Sequence, residues 1–332
     1  MLGAGERELG SPEHPVYTAR MKPPRSSWSG GSGRPPSDRG PERGSGGPPQ
    51  QHRGPRPPGK PFHGKPGQGQ GGGGGGGFHR QHRPQLDHRP RAPDTPRGAL
   101  WIYGLHAVAA ALANPARRLR QLIVTEEAQQ TLAQRQPQPW PVMPEQVDRG
   151  RLDHLLGRDI AHQGVALLAD PLAIPSLQHA LERPGPLIVL DQVTDPRNVG
   201  AILRSAAAFG VAAVITQDRN APEETGALAK AASGALETIP LLRAVNIART
   251  LIALKAANIW TVGLDGGGPP LSGPSLAGRR VALVLGAEGD GLRRLTRETC
   301  DEIAGIQMPG KMDSLNVSAA ASVALYELTR HA

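Results

Sequence analysis

A single cysteine, Cys300, stands in 332 residues. That excludes an intramolecular disulfide framework and any cysteine-based zinc cluster within one chain; no metal is expected, and a reducing, cytoplasmic compartment is. Long apolar runs are missing too. Nothing approaches the roughly 20 apolar residues needed to span a bilayer, so no membrane partner is expected. The amino-terminal region has no apolar run of secretory length, and its glycine and proline density spoils any amphipathic helix of the transit type.

What is present divides sharply. Residues 1–98 carry 16 Lys and Arg against seven Asp and Glu, an excess of nine that equals the formal charge of the whole chain, so the remainder is neutral on balance. This leader runs through Gly-Ser, Pro-Arg and Gly-Gln stretches, with seven consecutive glycines from Gly71 to Gly77, and has almost nothing aliphatic to bury. It is expected to be a disordered basic tail. Its charge would attract polyphosphate without reading sequence, as a non-specific RNA tether does. A solubilising tail, or a true start at Met21, stands as the alternative.

From Leu100 the composition turns globular. A helix is expected over His106 to Leu112, a strand over Gln121 to Thr125, a Gln/Pro-rich loop from Gln134 to Pro144, a helix near Asp148 to Leu156 and a strand over Gly164 to Ala169. Residues 99–171 thus read as a small α/β domain. Residues 172–185, with their proline punctuation, read as a linker carrying one short helix, and 186–332 as a second domain.

In that second domain apolar runs alternate with helical patterns. Strands are expected at Leu187–Leu190, Val211–Thr216, Glu237–Leu241, Ile259–Leu264, Val281–Leu285 and Glu302–Ile306. Between them lie helices, one marked by Val199, Ile202, Leu203, Ala206 and Phe209 at spacings of three and four, the last over about Asn316 to Leu328. Such alternation implies a mostly parallel sheet with helices on both faces.

Three segments place polar residues and glycines directly behind strands, where open α/β sheets bind ligands. The first is Asp195-Pro196-Arg197-Asn198-Val199-Gly200 followed by Arg204. Asn198 sits near a helix start, where it could also cap free N–H groups. The second is Gly286-Ala287-Glu288-Gly289, a turn that matches neither the dinucleotide fingerprint nor a phosphate loop and so disfavours a nucleotide-dependent oxidoreductase. The third is Ser314-Leu315-Asn316-Val317-Ser318, whose Ser314 and Asn316 are good helix caps as well.

In order, spacing and strand context these three segments resemble the motifs of the SpoU (TrmH) family of RNA ribose 2′-O-methyltransferases, over about residues 100 to 330. Within that family the likeness is to the bacterial large-subunit rRNA guanosine enzymes. Tyr103-Gly104-Leu105-His106-Ala107-Val108 and His162-Gln163-Gly164-Val165-Ala166 resemble its small L30e-like, ribosomal-protein-type RNA-binding module. The resemblance implies an α/β knot of the SPOUT kind, trefoil-knotted at the C-terminus, a rare exception to unknotted topology, and a homodimer with sites near the subunit interface. It also implies S-adenosyl-L-methionine as cofactor, gripped by backbone around Gly286, Ile306 and Leu315 with Leu264 nearby. Gln307 departs from the family, whose members commonly carry proline before the methionine.

For methyl transfer to a ribose hydroxyl, the resemblance makes Arg204 the first catalytic candidate. A guanidinium stays protonated in ordinary environments, so phosphate or oxyanion stabilisation is the favoured role, with proton acceptance only after strong desolvation. Asn198 would position the ribose or Arg204, Glu288 would orient either across the cleft, and Ser314 with Asn316 would complete the floor. Lys311 and Arg197 are candidate phosphate contacts, equally readable as solvated charges; Cys300 and His106 read as structural. The expected substrate is rRNA, with tRNA the alternative, and a non-catalytic ribosome-assembly factor on the same fold is the competing class.

Overall fold

The computed structural model describes residues 95–330 apart from Asp313; the tail and tether expectations for the leader lie, but for its last four residues, outside the described residues. Two sheets organise the rest. The smaller has four strands, β1 (Leu100–Tyr103), β2 (Leu119–Val124), β3 (Pro144–Gln146) and β4 (Val165–Ala169), in the order β1-β4-β2-β3. β4 runs antiparallel to both β1 and β2, and β3 parallel to β2. Three helices accompany it: α1 (Leu105–Ala113), α2 (Glu126–Arg135) and α3 (Arg149–Leu156).

The apolar pattern had no signal for α2 and β3. Only Ala128 and Leu132 of α2 are buried, so no apolar stripe announces it. Its start is written in polar residues instead: Thr125 caps the Ala128 N–H and Glu126 and Glu127 occupy the first turn, where negative charge favours the helix dipole. β3 is three residues long and half exposed.

The larger sheet is wholly parallel. Its strands are β5 (Leu187–Leu190), β6 (Ala213–Gln217), β7 (Leu241–Ala244), β8 (Ile259–Leu264), β9 (Arg280–Leu285) and β10 (Glu302–Ala304), in the order β10-β8-β9-β5-β6-β7. The helices are α4 (Leu177–Leu181), α5 (Pro196–Ala208), α6 (Gly226–Ala232), α7 (Ile247–Ala256), α8 (Arg294–Thr299) and α9 (Val317–Thr329). Alternate residues of β5 show why both faces are covered. Ile188 and Leu190 join one core with α5, α6 and α9, while Leu187 and Val189 join another with α4 and α7, as the period-two geometry of a strand requires.

One strand departs from expectation. Residues 235–237 form a 3-10 turn, entered through Gly234 at φ 98°, and the strand begins only at Leu241. Glu237 is held by Arg117 and Asn114 instead of entering the sheet.

Two glycines mark a chain crossing at the β10 edge. A Cβ on Gly268 would sit 2.7 Å from the carbonyl carbon of Ala304, and one on Gly305 would sit 2.8 Å from the Gly268 oxygen. Only glycine allows backbones this close. Asp265 and Leu271 donate to the carbonyls of Ala304 and Gly305 (2.9 and 2.8 Å), and Gly305 donates to Pro269 (2.6 Å). The segment from 265 to 271 thus straps the chain as it leaves β10. Beyond the strap the chain returns as α9 to pack on α5, and Gly273 donates to Glu327 on that helix (3.2 Å).

Candidate active site

The sheet register brings the three segments to one end. Leu190 pairs with Leu285, Leu285 with Leu264 and Leu264 with Ala304, so β5, β9, β8 and β10 terminate side by side. Directly behind them come Asp191, Gly286, Asp265 and Gly305. This is the carboxyl edge of a parallel sheet, where diverging connections leave a crevice.

Behind β5 the chain makes a turn in which Gln192 has φ 64°, then enters α5. Asp195 caps that helix through the Arg197 N–H (2.8 Å) and Pro196 supplies a preset φ at the first position. The capping role open to Asn198 therefore belongs to Asp195. Asn198 lies inside the first turn, half-buried, and turns towards α9.

Asn316 caps α9, accepting from the Ser318 N–H (2.9 Å) and Ser318 hydroxyl (2.6 Å) through Oδ1. Its Nδ2 then donates to Asn198 Oδ1 at 3.1 Å, across 118 residues of sequence. With Oδ1 so occupied, the Asn198 amide has its own N–H donors left for a ligand oxygen. Two turns on, the Ser205 and Ser322 hydroxyls meet at 2.7 Å. The two contacts advance seven residues along α5 and six along α9, so the helices run side by side in the same direction. Gly200 serves packing: a Cβ there would come within 2.5 Å of the Leu228 carbonyl of α6.

Behind β9, Ala287 and Gly291 exchange both backbone hydrogen bonds (3.1 and 3.0 Å), with Gly289 and Gly291 at φ 88° and 65°. Glu288 stands exposed on this turn. A Cβ on Gly286 would lie 2.1 Å from the Gly291 carbonyl carbon, so glycine here is a steric demand of the turn itself. Leu264 and Ile306 are half-buried; Leu315 is exposed on the approach to α9, as is Ser314. Beside them opens a cavity of about 310 Å³ lined by Gly266, Gly268, Pro270, Gly305, Ile306, Gln307, Met308 and Met312. Gly286, Leu264 and Leu315 are not among its lining residues.

Arg204 is exposed on α5. Among the described residues no ion pair or hydrogen bond engages Arg204 or Glu288, so the contact expected between Glu288 and Arg204 or Asn198 is not made in the single chain. Arg197 and Lys311 are exposed as well. His106 accepts from Arg135 (2.9 Å), and half-buried Cys300 donates to the Thr296 carbonyl (3.3 Å).

Asp191, four residues ahead of the first segment and given no role from sequence, anchors the strand end. It is fully buried behind β5 and binds Arg293 at the exit of the glycine turn: the Arg293 Nε lies 2.7 Å from Oδ1, and the backbone N–H 3.2 Å from Oδ2. The signal was available, because an acid directly behind a fully apolar strand needs a cationic partner if it stays ionised.

Residues 185–326 match the SpoU rRNA Methylase family, and residues 101–175 match the substrate-binding model of RNA 2′-O ribose methyltransferases. The chain is 39% identical over 243 residues to the 23S rRNA (guanosine-2′-O-)-methyltransferase RlmB of Escherichia coli K12, covering 69% of this chain and 97% of the relative. It is 42% identical over 245 residues to RlmB of Yersinia pestis, covering 69% and 96%. The chain belongs to the SpoU family of RNA 2′-O-ribose methyltransferases. The SpoU methyltransferase AviRb from Streptomyces viridochromogenes, solved with AdoMet, superposes with a TM-score of 0.58 at 24% identity over 70% of this chain and 90% of that one, a likeness of fold. The SpoU match extends through the strand-end loops and most of α9, and neither family model reaches into the basic leader.

Proposed function

We propose that this SpoU methyltransferase transfers a methyl group from S-adenosyl-L-methionine to the ribose 2′-hydroxyl of a guanosine in 23S rRNA, with residues 186–332 as the catalytic domain, 99–171 as an L30e-like RNA-binding domain and 172–185 as the linker. The observation that carries the catalytic reading is the Asn316–Asn198 hydrogen bond, which joins the first and third motifs. The substrate comes from the names of relatives that match over nearly their whole length.

The cavity suits the cofactor. Gly266, Gly268 and Gly305 expose backbone to it, while Ile306, Met308 and Met312 offer apolar surface, the mixture that an adenine and a thioether-like chain ask for. When bound there, the cofactor supplies an electrophilic methyl carbon. The protein's own part is orientation and electrostatics. Asn198, its amide oriented by Asn316, donates to a ribose oxygen. Arg204, exposed and unengaged, binds the neighbouring phosphate or the oxyanion that develops as the hydroxyl loses its proton. Glu288 sits on a turn pinned by Asp191 and Arg293, from which it orients Arg204 once RNA or a second subunit closes the cleft.

A homodimer fits the surface: Met312, Leu315, Val323 and Tyr326 are exposed around α9, an apolar strip beside the site. The close backbone crossing of the 265–271 segment over Gly305 supports reading the C-terminal region as a trefoil knot, with the segment after β10 as the threaded end. No described helix is long and apolar enough to cross a membrane, and an rRNA substrate with a lone cysteine suits the cytoplasm.

The test is transfer of radiolabelled methyl to total rRNA and tRNA from a host lacking the enzyme, with the product mapped by nuclease-resistant 2′-O-methyl linkages. Label at one rRNA guanosine that disappears with Arg204→Ala establishes the proposal. Label in tRNA corrects the substrate, and tight RNA binding without label at any stage of ribosome assembly replaces it with the assembly-factor reading.

A further inference from the structure

The strongest feature outside the active site is a buried arginine between the two sheets. Arg117 stands in the connection between α1 and β2, and its side chain is fully buried. Its Nε donates to Glu237 Oε2 at 3.1 Å and its Nη2 to Glu237 Oε1 at 2.5 Å, a two-pronged grip, while Nη1 binds Glu224 and the Asp170 carbonyl (2.9 Å). Asn114 adds a bond to Glu237 (2.8 Å), and Glu224 also accepts from the Leu172 N–H (3.1 Å). The arginine and Asn114 come from the region matching the substrate-binding model; both carboxylates come from the region matching the methylase.

Around this clamp the two regions meet without slack. A Cβ on Gly226 would fall 2.3 Å from the Trp101 carbonyl and 2.4 Å from the Tyr103 ring, and one on Gly234 would fall 2.8 Å from Ala110. Lys230 of α6 lies over Tyr103 and donates to the Ala161 carbonyl. The opposite side of α6 touches α5 through Gly200. One short helix therefore stands between β1 of the substrate-binding region and the helix that carries Asn198 and Arg204. The apolar core runs on across all three.

Buried charges contribute little net stability, but displacing one leaves the others unpaired in a dry place. A clamp of this kind selects a single docking pose. We infer that Arg117 is a positioning residue: by fixing the substrate-binding region on α6, it sets the distance between the point where RNA is gripped and Arg204, and so decides which nucleotide of a bound RNA is methylated. This rests on the activity proposed above. Fixed spacing of two contact points also spares the RNA the entropy of ordering a loose pair of domains, so its loss appears in RNA KM more than in kcat.

The experiment compares full-length wild type, Arg117→Ala and Arg117→Lys on a long 23S rRNA transcript. Measurements are S-adenosyl-L-methionine affinity, KM and kcat for RNA, the mapped positions of label, and hydrogen exchange at residues 100–103 and 226–232. Expected for Arg117→Ala are at least a tenfold rise in RNA KM, kcat within threefold, cofactor Kd within twofold, faster exchange at both contact strips and label spread to neighbouring nucleotides. Arg117→Lys, which keeps the charge and loses the fork, falls between. Unchanged KM and label position in folded variants overturn the inference, as does a loss of cofactor binding and kcat in parallel with KM, which would mark general destabilisation. If Arg117→Ala does not fold, Arg117→Lys and Glu224→Gln decide by the same criteria. No label from wild type would sink the activity and this inference together, whereas label indifferent to Arg117 sinks the inference alone.

Discussion

The floor of the cleft and its rim are built on opposite terms. On the floor the polar residues hold one another: Asp191 holds Arg293, Asn316 holds Asn198 and is itself held by Ser318, and Ser205 meets Ser322. On the rim, Arg204 and Glu288 are exposed with no partner among the described residues. The floor groups are held by partners, with Asp191 fully buried, while the groups proposed to meet a changing charge are kept available. Preorganised electrostatics needs both, because a reacting group that already has a good partner gains nothing in the transition state.

That contrast can be broken from either side. Arg204→Ala is expected to give the largest effect, a loss of about 100-fold or more in kcat, the scale of removing a stabilising donor from an anionic transition state. Its thermal midpoint should move little, since surface substitutions cost within about 0.5 kcal/mol; paired kinetics and calorimetry would show it. Asp191→Ala should invert the pattern. It leaves Arg293 without its buried partner and frees the glycine turn, lowering stability by about 2 kcal/mol in denaturant titration and weakening cofactor binding.

Asn316→Ser sharpens the comparison further. Serine keeps the helix cap, worth about 1 kcal/mol, and removes the donor to Asn198. Stability near wild type with activity down roughly tenfold, a loss of about 1.4 kcal/mol in the transition state, would separate the floor's catalytic role from its structural one; a matching fall in both would merge them. The smallest effect concerns Cys300. Burial, reinforced by Asp301, pushes its thiol up to about 11. A raised folded value favours the protonated form, so its contribution to stability is full below the ordinary thiol range and is lost as pH rises towards about 11. Chemical denaturation from pH 7 to 11 should show an alkaline decline that Cys300→Ala makes shallower, and iodoacetamide should label the native thiol slowly at pH 8.

The larger sheet was readable from sequence because its strands are short apolar runs separated by amphipathic helices, and period alone carries that message. The small sheet was less so. α2 buries only two side chains and β3 is half exposed, so neither leaves an apolar pattern. Within the site, the family resemblance supplied Asn198, Arg204, Glu288 and Asn316, and the structure adds the link that unites two of them. Asp191 was visible as an isolated acid but its partner was not, because Arg293 lies 102 residues away and nothing local connects them. Arg117 was equally silent, one arginine among many until both carboxylates from the other region close on it.

The Asn198–Asn316 bond joins two residues 118 positions apart, and its second half arrives with α9. The proposed site is therefore complete only once α9 has been made. A polypeptide that stops before α9 keeps Arg204 and the glycine turn but has no floor to set them against. On the proposed mechanism such a product would be inert rather than sluggish, and any RNA it met would be spared mismarked nucleotides.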